Sequence, residues 1–148
     1  MKWLLDTNVL SEGVRPRPHP AVLAWTADQT EQDIAISVVT LAELRSGIRQ
    51  VQQRGLRHRL AEWVEAEVTR SFAERILPLT VEILTDWLLL ARGLRALGRP
   101  QSAPDLLIAA TARVHSLILV TRNVRDFAGT GVLVYDPWTG ETHKMERP

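Results

Sequence analysis

The sequence predicts an α/β fold, a parallel sheet covered by helices on both faces. Three observations carry that prediction. Short apolar segments alternate with helix-spaced segments along the whole chain. One short segment, "LILVT", is apolar on successive residues, which suits a central strand covered on both sides. No repeat, low-complexity stretch or long linker divides the 148 residues, so a single domain over residues 1–148 is expected.

The elements follow in order. "WLLDTN" reads as a short buried strand. A proline-rich loop (Pro16, Pro18, Pro20) leads into "HPAVLAWTADQ", where Pro20 suits a first helical turn and Val22, Leu23 and Trp25 give a partial apolar face. "DIAISVV" is a second strand, rich in β-branched residues. "TLAELRSGIRQVQQ" spaces Leu41, Leu44, Ile48 and Val51 as a helix does. A further helix follows Gly55, with Leu56, Leu60, Trp63, Val64 and Val68 on one side. "RILPL" is strand-like, and "TVEILTDWLLLARGLRALG" is a long helix that stops near Gly98 and Pro100. "SAPDLLIAATARVHS" is the next helix, "LILVT" the central strand, and "VLVYD" the last strand.

Composition narrows the chemistry. The chain has no cysteine, so disulfides and thiolate metal sites are excluded. Any metal must be held by carboxylates, histidines or backbone, and carboxylates favour hard ions such as magnesium or manganese. The net charge of +1 announces no global basic field. Of 18 basic residues only Lys2 and Lys144 are lysine. Arginine grips phosphate or carboxylate with a two-pronged fork, although a genome rich in arginine codons accounts for the bias equally well. No signal peptide is recognisable, and "DWLLLARGL" is shorter than the roughly 20 apolar residues a bilayer requires. A soluble cytoplasmic protein is expected.

In an open α/β sheet, ligands bind at the carboxyl ends of the strands. Asp6 ends the first strand, and Glu43 lies about one turn into the helix after "AISVV". Asp105 sits in the first turn of "APDLLIAATA", and Asp126 follows "LILVT" in "TRNVRDF". Each has a structural reading as well. Thr40-x-x-Glu43, Ser102-x-x-Asp105 and Asn123-x-x-Asp126 have the spacing of a capping box. Asp6 has no such explanation, because Asn8 looks the better cap of the following turn. If the four carboxylates converge, they repel one another, and a divalent cation relieves that repulsion. Such a site can deprotonate a water and direct it at a phosphodiester without a histidine, serine or cysteine nucleophile.

"LLDTNVLSE", "SVVTLAELRSGI", "APDLLIAATARVHSLILVTRNVRDF" and "GVLVYDPW" together resemble the PIN-domain ribonucleases, among them the VapC-type toxins and their FitB-like branch. The resemblance covers nearly the whole chain in the right order. It implies a three-layer α/β/α fold with about five parallel strands, and magnesium- or manganese-dependent endoribonuclease activity. It places the family's acids on Asp6, Glu43, Asp105 and Asp126. Asp6, Asp105 and Asp126 are then metal ligands, direct or through water, and Glu43 either binds metal or helps deprotonate the water. Asn8 and Thr121 match flanking polar positions that orient waters or carboxylates. An RNA substrate, a cognate antitoxin and a homodimer are the partners it implies.

Two other functions compete. An aspartyl phosphotransferase of haloacid-dehalogenase type would use Asp6 as nucleophile, but Asn8 stands where such enzymes carry a second acid. A non-catalytic binding module would keep the acids only as helix caps. Other polar residues are assigned to structure. His19, His58, His115 and His143 show no metal-ligand spacing, and His115 is expected to be partly buried. Glu62, Glu65 and Glu67 are expected to form a solvated face that pairs with nearby arginines. Asp136, before Pro137, suits a turn. Arg45, Arg49, Arg54, Arg57 and Arg59 crowd the region around Gly55, either as solvated residues or as a surface for RNA or an acidic partner. Trp25, Trp63 and Trp87 belong to the core or a dimer contact.

Overall fold

The computed structural model describes residues Met1 to Pro148. Strand β1 (Trp3–Leu5) leads through α1 (Thr7–Glu12) and α2 (Pro20–Ala27) to β2 (Ile34–Ser37) and α3 (Val38–Arg49). Helix α4 (Arg54–Glu62) continues through a π-helical turn, Trp63–Val68, into α5 (Thr69–Ser71). Then come β3 (Ile76–Leu77), α6 (Val81–Ala96), α7 (Ala103–Val114) and β4 (Ile118–Val120). A 3-10 turn (Val124–Phe127), β5 (Leu133–Asp136) and β6 (Glu141–Lys144) complete the chain.

The sheet order is β3-β2-β1-β4-β5-β6. The five strands expected are all parallel, and β6 adds an antiparallel edge beyond β5. The chain moves outward from β1 to β3, crosses over, and returns on the other side of β1 as β4. The gap between β1 and β4 is therefore the topological switch point, where such sheets open a crevice at their carboxyl edge.

Strand alternation divides the core into two layers. On one face Leu4, Ala35, Leu119 and Val134 pack under α6 and α7. On the other, Leu5, Ile36 and Val120 pack under α1, α2, α3 and the π-helical turn. "LILVT" is central as expected, since β4 pairs with both β1 and β5 and Leu119 and Val120 are fully buried. The alanines of "APDLLIAATA" let α7 lie close on the sheet, with Ala109, Ala110 and Ala112 completely covered.

Several local readings need correction. The second strand stops at Ser37, so Val38 and Val39 are helical. The Ser37 hydroxyl accepts the Val39 N–H and starts α3 there. Thr40 thus lies inside the helix and forms no capping box with Glu43. Its hydroxyl is buried without a partner. Thr40→Val is expected to raise stability by about 1 kcal/mol, because it removes an unsatisfied buried hydroxyl while keeping the side-chain shape. A denaturant melt with an unchanged midpoint contradicts this.

"VLVYD" is not the last strand. Asp136 Oδ1 accepts the Trp138 N–H at 2.8 Å, as a turn carboxylate does, and Gly140 at φ +78 closes the hairpin into β6. His115 is exposed beyond the end of α7 rather than partly buried. Trp25 packs edge-on against Trp3 and beside Tyr135, and Trp63 and Trp87 lie half-buried against the core. Arg45 clasps Glu65 at 2.8 and 3.0 Å. No helix is long and apolar enough to cross a membrane.

Candidate active site

Four sequence-predicted carboxylates come from different parts of the chain to the β1/β4 switch point. Leu5 pairs with Val120 across the sheet, so Asp6 and Thr121 leave the two strand ends side by side. The Thr121 hydroxyl donates to Asp6 Oδ2 at 2.7 Å. Asn8 Nδ2 donates to the same oxygen at 3.3 Å and to Thr121 Oγ1 at 2.9 Å. The Asn123 N–H also donates to Thr121 Oγ1, at 3.1 Å. The Thr121 hydroxyl therefore has one orientation available to it.

The Thr7 N–H donates to Asp6 Oδ1 at 2.8 Å, which makes Asp6 the N-cap of α1. This corrects the assignment of the cap to Asn8. Asp6 has a structural role after all, and Asn8 instead ties the end of β1 to the end of β4. A cap and a ligand are compatible, because a carboxylate has about four acceptor positions and the cap consumes one.

Glu43 is half-buried on α3 and Asp105 half-buried on α7. The Thr7 hydroxyl donates to Glu43 Oε1 at 3.2 Å. Ser102 caps α7 and donates to Asp105 Oδ2 at 2.6 Å, so this capping pair is real. Asp126 is exposed on the 3-10 turn, where Asn123 offers no side-chain cap. Thr7 was not singled out by sequence. It lies within a quoted motif, but its side-chain direction depends on the packing of α1.

The charges of the four acids act on one another. Burial raises the Asp6 carboxyl above its ordinary range, with the charges of Asp105 and Asp126 adding to the rise; the Thr121 and Thr7 bonds oppose it. Burial also raises Glu43, and Asp6 and Asp105 raise it further. Asp105 is raised by burial and by Asp126, against the Ser102 bond. No cationic side chain bonds to any of the four.

No group of three or more acidic or histidine side chains is arranged to enclose an ion by itself. Magnesium does not require such a group, since it takes one or two carboxylates directly and keeps its remaining waters. The donors are all oxygens, and their charges are uncompensated. The residues present fit a hard divalent cation.

Thr121→Val tests the wiring. The substitution removes the hydroxyl that holds Asp6 ionised, so the acid limb of the pH–rate profile is expected to move to higher pH. If Asp6 holds a metal, the RNA cleavage that the resemblance implies should fall by roughly 10- to 100-fold at neutral pH, the range for an outer partner of a metal ligand. A profile that does not move argues against it.

A parallel α/β sheet with clustered, oxygen-only acids at its switch point defines a class, the sheet-edge carboxylate centres. Comparison with known proteins narrows the class. A model of the PIN domain matches residues 3–133. Toxin FitB of Neisseria gonorrhoeae is 36% identical over 135 residues, covering 91% of this chain and 97% of that protein. A VapC ribonuclease of Sinorhizobium fredii is 33% identical over 135 residues, covering 91% and 96%. The crystal structure of FitAcB from Neisseria gonorrhoeae superposes with a TM-score of 0.86 at 36% identity, over 92% of this chain and 98% of that one. The chain belongs to the PIN-domain family, in the branch of the FitB and VapC toxins.

Proposed function

We propose that this chain is a metal-dependent endoribonuclease, the toxin of a toxin–antitoxin pair, with residues 1–148 acting as one cytoplasmic nuclease unit. The observation that carries this reading is the meeting of Asp6, Glu43, Asp105 and Asp126 at the switch point, with no cationic side chain bonded to them. The naming of one relative as a toxin and of another as a ribonuclease supports it.

Asp6, Asp105 and Asp126 are the residues that would hold magnesium or manganese, and Glu43 is placed to hold metal or to take a proton from water. When bound, the metal supplies an acidified water and neutralises charge on the scissile phosphate. Asp6 is fixed by Thr121, Asn8 and Thr7, so its position costs little reorganisation. Glu43, raised above its ordinary range by burial, is oriented by Thr7. Asp6 as a phosphorylated nucleophile fits less well, since Asn8 stands where such enzymes carry a second acid.

An antitoxin that covers this edge with a cation would compete for the same carboxylates. A homodimer completes the proposed assembly. The test is cleavage of RNA with magnesium or manganese, abolished by excess chelator and by Asp6→Asn. Equal cleavage in chelator rules out the metal-dependent reading.

A further inference from the structure

One arginine at the carboxyl edge is wired to the acids and lacks a partner. Arg122 follows Thr121, and its backbone N–H donates to Asn8 Oδ1 at 3.2 Å. Asn8 bonds onward to Asp6 and Thr121, so the Arg122 main chain is in register with the carboxylates. The Arg122 side chain is exposed at that edge. There its guanidinium lies 5.4 Å from the centroid of the Trp138 ring. Trp138 is held in turn by its N–H bond to Asp136 and by packing on the α1–α3 side of the core.

The guanidinium makes no hydrogen bond or ion pair within the protein. Its charge is felt by Glu12, which is already served. Glu12 accepts the His19 N–H at 2.9 Å and Arg15 Nη1 at 3.3 Å, and these contacts hold it below the ordinary range ahead of the weaker pull of Arg122. A partner for Glu12 therefore does not explain Arg122.

We infer that Arg122, seated on Trp138, holds a phosphate of a single-stranded RNA substrate beside the carboxylate cluster. The inference rests on the ribonuclease reading and adds the residue that grips the strand. A cluster of acids repels a polyanion, so a cation on the rim must hold the strand in place. Arginine offers a fork that matches two phosphate oxygens. Stacking on an indole face orients the guanidinium while leaving its edge donors free. A cation paired with an aromatic ring suits a single strand, whose phosphates and unpaired bases are both open to contact. An acidic protein segment is the other ligand that suits a free guanidinium, and the test separates the two.

Wild type, Arg122→Gln and Arg122→Lys are compared on a labelled single-stranded RNA oligonucleotide with manganese at several salt concentrations. A thermal melt checks that each variant is folded. In Arg122→Gln, KM is expected to rise roughly tenfold, the size of one charge-assisted contact, with kcat nearly unchanged. The slope of log(kcat/KM) against log[salt] should become shallower by about 0.7, the loss of one phosphate contact on a single strand. Arg122→Lys should restore the slope and part of KM, because it keeps the charge without the fork. If wild type cleaves and Arg122→Gln leaves KM and slope unchanged, this inference fails and the ribonuclease reading stands. A fall in kcat alone also overturns it, since that marks support of Asn8 rather than a grip on substrate. So does a variant that cleaves RNA normally but binds the co-expressed antitoxin more weakly. A wild type that neither binds nor cleaves the oligonucleotide overturns both readings.

Discussion

Asp6→Asn is expected to lower RNA cleavage by more than roughly 100-fold, beyond the range seen for outer partners of metal ligands, while the protein stays folded. The two parts of this expectation have separate causes. Asparagine is as good an N-cap as aspartate, so its side-chain oxygen can still accept the Thr7 N–H and α1 still starts. Desolvation and the charges of Asp105 and Asp126 no longer act against a buried anion, which offsets the weakened bonds from Thr121 and Asn8. Stability should therefore change by no more than about 1 kcal/mol. Activity has no such compensation, because an amide brings no negative charge to a cation and turns an acceptor into a donor. The measurement is initial rate on RNA with magnesium or manganese, beside a thermal melt. Wild-type rates in a folded Asp6→Asn would falsify the placement of the centre at Asp6.

Magnesium or manganese is expected to stabilise the fold, and Asp105→Asn to remove most of that effect. Asp6, Glu43 and Asp105 all have folded-state pKa values raised above the ordinary 3.8 or 4.5. A raised acid binds its proton more tightly in the folded state. Its contribution is present below the ordinary value and is lost as pH rises through the folded one. In metal-free buffer, wild type should thus lose stability relative to Asp105→Asn as pH rises from about 4 toward neutrality. A cation that binds only the folded state reverses the loss. At a concentration about 100 times its dissociation constant it adds about 2.7 kcal/mol. For a chain of this size that is an upward shift in Tm of roughly 5–10 °C. The readout needs no RNA, so it separates metal binding from catalysis. Equal metal-induced shifts in wild type and Asp105→Asn would remove Asp105 from the metal set.

Much of the fold was legible because burial leaves a pattern. Leu119 and Val120, covered on both faces, read as a central strand, and the helix-spaced leucines of α6 and α7 read as helices. What was illegible lacked such a pattern. Strand β6 is "ETHK", polar and at an edge, so nothing in its composition separates it from a loop. The second strand was read too long because Val38 and Val39 favour either structure, and the Ser37 cap decides between them. Asp6 was misjudged as a non-capping residue for a related reason. Whether a carboxylate folds back on the next N–H depends on where α1 begins, and six residues of helix carry too little periodicity to reveal it.

By itself the sequence determined which chemistry was available. With no cysteine and with acids after three strand-like segments, it left a hard-cation carboxylate centre as the economical reading, and its motifs led to the family. Only the tertiary structure decided how those groups stand to one another. Residues 6 and 121 are 115 positions apart, and the pairing of β1 with β4 brings them within one hydrogen bond. The same pairing ties Asn8 to Arg122 and leaves that guanidinium free above Trp138. Residue types are local properties of a chain, whereas distances between far-separated side chains are set by strand order and register. Asp6 could therefore be named from the sequence, but the bonds that hold it required the fold.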